Sequence, residues 1–260
     1  MRATLALSTI LVLAAAVPSA AQEAAPFDWS GRIAEGRTLE IVGVNGDIDV
    51  VASEDGRAHV RAVRSARRSD PESVRIEVVE HDGGVTVCAV YPTPRGAREP
   101  NSCARGGGNS SVNDNDVEVH FTVRVPAGVR FDGSTVNGGV EAQGLRSDVH
   151  ATTVNGDVRV STAGLAQAST VNGDISVRVG SGTLSRDLRF STVNGSIELS
   201  APAGLNADLE ASTVNGEIES DFEVRVRGSI DRQSIRGTIG SGGSDLDLST
   251  VNGRIRLRRI

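Results

Sequence analysis

Lysine is absent from this 260-residue chain, aromatic residues make up 3% of it, and cysteine occurs twice. Each shortage excludes something. All 27 basic residues are arginine, set against 33 acidic ones, and no basic block occurs, so the chain lacks the footprint of a nucleic-acid or anionic-lipid binder. One Trp (Trp29) and one Tyr (Tyr91) leave few rings for a core or for stacking on sugars. The two cysteines form no Cys-x-x-Cys, and His59, His81, His120 and His150 are scattered without zinc-ligand spacing. No glycine-rich phosphate loop precedes a helix and no nucleophile elbow surrounds a serine, so neither a cofactor nor a catalytic residue is expected.

What is present begins with an address. Arg2 is followed by an apolar stretch, Ala3 to Val17, and then by Pro18-Ser19-Ala20-Ala21-Gln22, the small-residue spacing of a signal-peptidase site. Residues 1–21 are therefore read as a signal peptide. The apolar stretch falls short of the roughly 20 residues a bilayer span requires, and no later segment approaches one. The product is expected to be exported, periplasmic or at the cell surface, with no membrane span after cleavage. In an oxidising compartment Cys88 and Cys103, on either side of the turn-rich Tyr91–Gly96, are expected to form a disulfide on the order of 3 kcal/mol in effect.

The chain repeats a phrase: Ser134-Thr135-Val136-Asn137-Gly138, Thr152-Thr153-Val154-Asn155-Gly156, Ser169-Thr170-Val171-Asn172-Gly173, Ser191-Thr192-Val193-Asn194-Gly195, Ser212-Thr213-Val214-Asn215-Gly216 and Ser249-Thr250-Val251-Asn252-Gly253. An early copy is Val44-Asn45-Gly46. Asn-to-Asn steps of 18, 17, 22 and 21 residues precede a gap of 37, in which Ser234-Ile235-Arg236-Gly237 reads as a degenerate copy. Such self-similarity is the signature of a repeat architecture.

Two residues after each Gly comes a branched apolar residue (Ile48, Val140, Val158, Ile175, Ile197, Ile218, Ile239, Ile255), with polar residues alternating, so the elements are strands. A two-residue hairpin at Asn-Gly would pair Val154 with Asp157 and Thr153 with Val158, mixing apolar and polar side chains on both faces. A chain that runs on through Asn-Gly instead places Val154, Val158 and Val160 on one face. A second apolar series, Phe131, Val149, Ala166, Leu188, Leu209 and Leu246, lies four residues before each Thr with offset parity, which predicts a corner at Ser-Thr. The pattern predicts an all-β, β-helix-like solenoid of stacked coils of about 20 residues. Two or three buried aliphatic side chains yield on the order of 4–8 kcal/mol, less than the entropy of ordering one coil, so only stacked neighbours are stable. The six complete Asn-Gly pairs and Asn45-Gly46 are read as structural turns, Asn for its left-handed tolerance and amide ladders, Gly for the bend.

Residues 22–125 carry longer strand patterns and are read as an N-terminal β region that caps the solenoid of residues 126–260. Within it Pro92–Asp116 is expected to be an exposed loop pinned by the disulfide. The terminal Arg254-Ile255-Arg256-Leu257-Arg258-Arg259-Ile260 reads as an edge strand protected by its arginines. The assembled features, Leu39–Val50 with its Val44-Asn45-Gly46-Asp47-Ile48, the strand ending Val125-Pro126-Ala127-Gly128, and the repeats after it, resemble the bacterial putative-adhesin family of Val-Asn-Gly strand-repeat proteins. The resemblance spans roughly residues 35–260. It implies an exported β-solenoid of unassigned function with no catalytic residues to carry over.

Two function classes follow. One is a non-enzymatic adhesin or envelope scaffold presenting a repetitive surface to a cell-envelope or surface polymer or protein. Its outward row Asp157, Asp174, Ser196, Glu217 forms a partly acidic stripe, most simply a solvated face. The other is a carbohydrate-active β-helix enzyme, which needs paired carboxylates or a metal on neighbouring coils, and the stripe is broken by Ser196 and Arg254. An ice- or mineral-binding Thr file is disfavoured by its expected place at a corner.

Overall fold

The computed structural model describes residues 21–226 and 232–260, so the expected signal peptide lies, but for Ala21, outside the described residues. Among the described residues, apart from one turn of 3-10 helix at Pro71–Ser73, the regular structure is strand. In the N-terminal region run β1 (Gln22–Glu23), β2 (Phe27–Gly31), β3 (Thr38–Val42), β4 (Ile48–Ala52), β5 (Ala58–Ala66), β6 (Arg75–His81), β7 (Gly84–Val90) and β8 (Glu118–Val125). The repeats follow as β9 (Arg130–Ser134), β10 (Val140–Leu145), β11 (Val149–Thr152), β12 (Val158–Thr162), β13 (Ala166–Ser169), β14 (Ile175–Val179), β15 (Leu188–Ser191) and β16 (Ile197–Ala201). The chain closes with β17 (Ala207–Asn215), β18 (Ile218–Ser220), β19 (Val224–Val226), β20 (Ser234–Ile239), β21 (Asp245–Asn252) and β22 (Ile255–Arg259).

These strands form two 11-stranded sheets. One runs β1-β5-β8-β4-β10-β12-β14-β16-β22-β18, with β2 also on β5, and the other β19-β20-β17-β21-β15-β13-β11-β9-β3-β7-β6. Each repeat sends one strand to each sheet in parallel register with the repeats beside it, such as Val158↔Ile175 and Ile175↔Ile197. The chain is a parallel β-solenoid, and antiparallel β5, β6 and β20 close its ends. Alternation is the cause: in β8 and β14 every second residue is buried, so one face of each strand packs inward and the other meets water. The core lies between the sheets, where Val140, Val158, Ile175, Ile197 and Ile255 stack opposite Phe131, Val149, Ala166, Leu188, Leu246 and Leu209. Each large aliphatic side chain buried there contributes about 1.5–3 kcal/mol.

At the N-terminal end β7 and β8 make one more turn of the solenoid, with residues 91–117 in place of a corner. This stretch is largely exposed, as expected, with Asn101 buried within it, and part of it lies over the outward side of β7, where Thr86, Cys88 and Val90 are buried. The Cys88–Cys103 disulfide is present. Asn101, itself buried, donates to the carbonyls of Tyr91 and Ser111 at 3.1 and 2.7 Å and accepts from the Ser111 N–H at 2.9 Å. The Gly106 N–H reaches Glu40 Oε2 at 3.0 Å. Loop backbone that cannot join a ladder finds partners in these side chains instead, which is the requirement any buried loop must meet.

At the other end the coils do not stack in chain order. The last coil, β21–β22, lies between β15–β16 and β17–β18. The segment Ser234-Ile235-Arg236-Gly237 is no degenerate corner: it belongs to β20, antiparallel to β17. Nor is the arginine-rich C-terminal strand an edge. Arg256 pairs with Glu219 at 3.1 Å, Arg258 with Asp221 at 3.5 Å, and Arg254 approaches Glu217 at 3.9 Å, while β16 lies on the other flank. The row across the sheet is then Glu198, Arg256, Glu219; stacking in chain order would set Glu198 beside Glu219. On the first sheet the observed order therefore alternates charge, whereas on the second it sets Asp245 beside Asp208 and Asp247 between Arg189 and Glu210.

Because β17 and β18 reach the solenoid through β21 and β22, a chain ended after Gly243 should lose more than one coil. Backbone amides of β17, β18 and β20 are expected to exchange freely in hydrogen-exchange measurements while those of β9–β14 stay protected. Protection retained throughout β17 would show that this coil docks without the last one.

Candidate functional site

The most repetitive feature of the molecule is the corner between the two sheets. In each complete repeat the Thr is buried, and its hydroxyl donates to the carbonyl of the Gly one coil away: Thr135 to Gly46, Thr153 to Gly138, Thr170 to Gly156, Thr192 to Gly173, Thr250 to Gly195 and Thr213 to Gly253, at 2.7–3.0 Å. The Val that follows points out. Val136, Val154, Val171, Val193 and Val251 are 36–39% exposed and Val214 58%, and these six belong to a group of only eight exposed large hydrophobic residues among those described. The sequence reading, which aligned Val154 with Val158 and Val160 and put the corner at Ser-Thr, is corrected here. Strand parity continues inward through Thr153, and the chain bends across Val154, Asn155 and Gly156 before Val158 turns inward again. Val158 lies five positions after Thr153, an odd step that a period-two strand cannot bridge with both ends inside.

The Asn side chains form one continuous file. Each Nδ2 donates to the Oδ1 of the coil on its N-terminal-cap side, from Asn215 to Asn252, Asn194, Asn172, Asn155, Asn137 and Asn45, at 2.7–2.9 Å. At the end Asn45 reaches the Val117 carbonyl at 3.5 Å, beside the buried Tyr91 hydroxyl, which donates to the same oxygen at 2.7 Å. Burial holds the Tyr91 phenol up at about 12. With strands about 4.8 Å apart, seven amides span about 29 Å. Each has a second N–H and a further lone pair beyond those the file uses.

The Gly residues are required by the approach of one backbone to the next. A Cβ on Gly156 would run into the carbonyl of Gly138, and one on Gly195 into that of Gly173. The expected outward stripe is also tied down: Asp157 Oδ1 accepts from the Asp174 N–H at 2.9 Å and Asp174 Oδ1 from the Ser196 N–H at 2.7 Å, so these carboxylates satisfy backbone donors of the next coil. On the other side of the corner, Ser134, Thr152, Ser169, Ser191, Ser249 and Ser212 face outward from their strands.

Carboxylates gather elsewhere in a groove of about 530 Å³ on the second sheet, lined by Asp187, Asp208, Glu210, Asp245 and Asp247 with Arg189 and Arg236. Arg189 pairs with Asp247 at 3.0 Å, Arg236 with Glu210, and Thr238 Oγ1 donates to Asp208 at 2.8 Å. On the same sheet His150 Nδ1 lies 3.1 Å from Asp132, whose hydrogen bond raises the imidazole pKa against the opposing effects of burial and Arg186. Among the described residues no group of three or more His, Cys, Asp or Glu could hold a metal ion, and no helix is long and apolar enough to cross a membrane.

Fold and corner together define a parallel β-solenoid whose repeated turns are built from threonine, asparagine and glycine. The chain belongs to the Toastrack DUF4097 family, whose model matches residues 111–258. Its structure is similar to that of a putative cell adhesion protein from Clostridium sporogenes, at 11% identity over 91% of this chain and 100% of that one, with a TM-score of 0.47. It is also similar to that of a putative adhesin from Bacteroides fragilis, at 13% identity over 91% and 97% of the two chains, with a TM-score of 0.39. A comparison with the curated proteins finds no match.

Two predictions separate inside from outside here. Thr170→Val should cost about 1–3 kcal/mol by leaving the Gly156 carbonyl without its donor, while Val171→Thr should stay within about 0.5 kcal/mol; urea unfolding of both checks this. A folded-state His150 pKa above 6.5 stabilises the protein most fully below that pH, and the gain is lost as pH rises through the raised value. His150→Gln should therefore fall furthest behind the parent chain in acid and match it in alkali, and a deficit independent of pH would refute the pairing.

Proposed function

We propose that this is an exported, non-enzymatic, adhesin-like protein of the periplasm or cell surface, which offers its repeated corner to a polymer or protein of the cell envelope. Residues 126–260 supply the repetitive surface, and residues 22–125 cap it. The observation that supports this is the outward valine file beside the amide file: the same uncharged pair of groups, an apolar side chain and an amide with spare donor and acceptor capacity, recurs at about 4.8 Å intervals. A ligand with a repeating structure can engage several such units at once, so weak single contacts add along its length. Adhesion is also the role named for the two solved structures above, but it is the corner that supports the reading.

The test is co-sedimentation of residues 22–260 with whole envelope, peptidoglycan and insoluble polysaccharides, with an assay for released reducing ends. Retention without release is expected, and Val171→Asp with Val193→Asp should weaken it on the order of tenfold while leaving the β-sheet spectrum unchanged. Release of sugar would establish an enzyme instead. Retention untouched by the two valine changes would place the contact away from the corner.

A further inference from the structure

Three coils near the C-terminal end share one pentapeptide, Ser-Thr-Val-Asn-Gly, at residues 191–195, 212–216 and 249–253. They are chemically interchangeable at the corner: Asn252 accepts from Asn215 and donates to Asn194 through the same amide contacts that join every other pair. What distinguishes the coil of residues 245–260 is charge on the first sheet. Its Arg254, Arg256 and Arg258 face Glu217, Glu219 and Asp221 on one flank, and Glu198 lies beside Arg256 on the other. Removing it leaves a slot with acidic groups on both walls.

The coil follows β20 in the chain. It begins at the turn Gly240-Ser241-Gly242-Gly243-Ser244, which crosses the end of β17, with Ser241 N–H and Oγ both bonded to Asn206 Oδ1. Gly240, Gly242 and Gly243 hold positive φ values of 60°, 78° and 147°, and a five-residue glycine-rich turn can extend to about 17 Å without a side chain opposing it. The ladders that seat residues 245–260 join residues at least 37 positions apart, such as Asp208 with Asp245, and a second copy of the chain offers the identical slot.

We propose that the slot between the coils of Asn194 and Asn215 is a coil-acceptor site, and that it takes residues 245–260 of a second copy of this chain in exchange for the chain's own. The arginine row selects this segment over the other four copies of the pentapeptide. The exchange preserves every ladder and ion pair of the single chain and changes only the path of the Gly240–Ser244 turn. It is independent of what the corner binds.

The test uses paired positions Ser191 and Ser249, which are strand partners across one wall of the slot and face outward. Ser191→Cys is placed in one full-length chain and Ser249→Cys in another of different mass. The two are unfolded together, refolded at high concentration and treated with a short bis-alkylating thiol reagent. A cross-linked heterodimer is expected after joint refolding and not after mixing the folded chains. Arg254→Glu, Arg256→Glu and Arg258→Glu on the Ser249→Cys chain should lower its yield on the order of tenfold. The double variant Ser191→Cys/Ser249→Cys, which should close on itself, shows that the reagent spans the pair. Self-closure of that variant with no heterodimer from the jointly refolded pair would overturn the proposal. Equal heterodimer from folded chains, or from the triple-glutamate chain, would overturn it as well.

Discussion

The structure depends on how closely one backbone can lie on the next at the Val-Asn-Gly corner. Glycine carbonyls and amides of successive coils stack with no room for a Cβ, so only glycine lets the corner keep the ladder spacing of both sheets. Close approach alone would bury polar backbone without partners. The Thr hydroxyl below the corner and the Asn amide above it satisfy or reinforce those groups, so a five-residue phrase combines a steric requirement, a buried donor and an exposed donor–acceptor. Repeating it fixes register. A slip of one residue anywhere would bring a side chain into the glycine contact and turn a Thr outward at once.

Much of this was legible in the sequence, and the part that was not has a definite cause. Asn-Gly flanked by alternating branched residues pointed to strands, the wrong facial pairing argued against hairpins, and the 17–22-residue steps gave the coil length. The inward place of the Thr was also available, since Thr135 lies four residues after Phe131 and shares its parity. Counting the Val with the inward series sets the corner at Ser-Thr, whereas a hydroxyl with a backbone acceptor in reach can be buried at little cost, so the Thr stays inside and the corner falls after it.

The order of the coils was less accessible. Chain order is the natural expectation for identical repeats, and nothing local distinguishes Asn215 from Asn252. The distinguishing residues lie after the phrase, Glu217-Ile218-Glu219 in one coil and Arg254-Ile255-Arg256 in the other, and their meaning emerges only when strands are set side by side. The same limit applies to the loop of residues 91–117. Its glycines and polar residues are exposed as read, while the contacts that order it, those of Asn101 within the loop and of the Glu40 carboxylate with Gly106, could not be read from them. Pairwise satisfaction of polar groups across long separations has no periodic signature.

The placement of the last coil also bears on how such a chain can change in length. Between β9 and β16 each repeat follows its spatial neighbour in sequence, so duplication of one 17–22-residue unit there would insert a coil and leave every junction intact. After β16 that freedom ends, since the next coil in space is supplied by residues 245–260 and is matched by charge to its neighbours on the first sheet. The middle of the solenoid is open to growth by tandem copying, while its C-terminal end behaves as a fixed clasp.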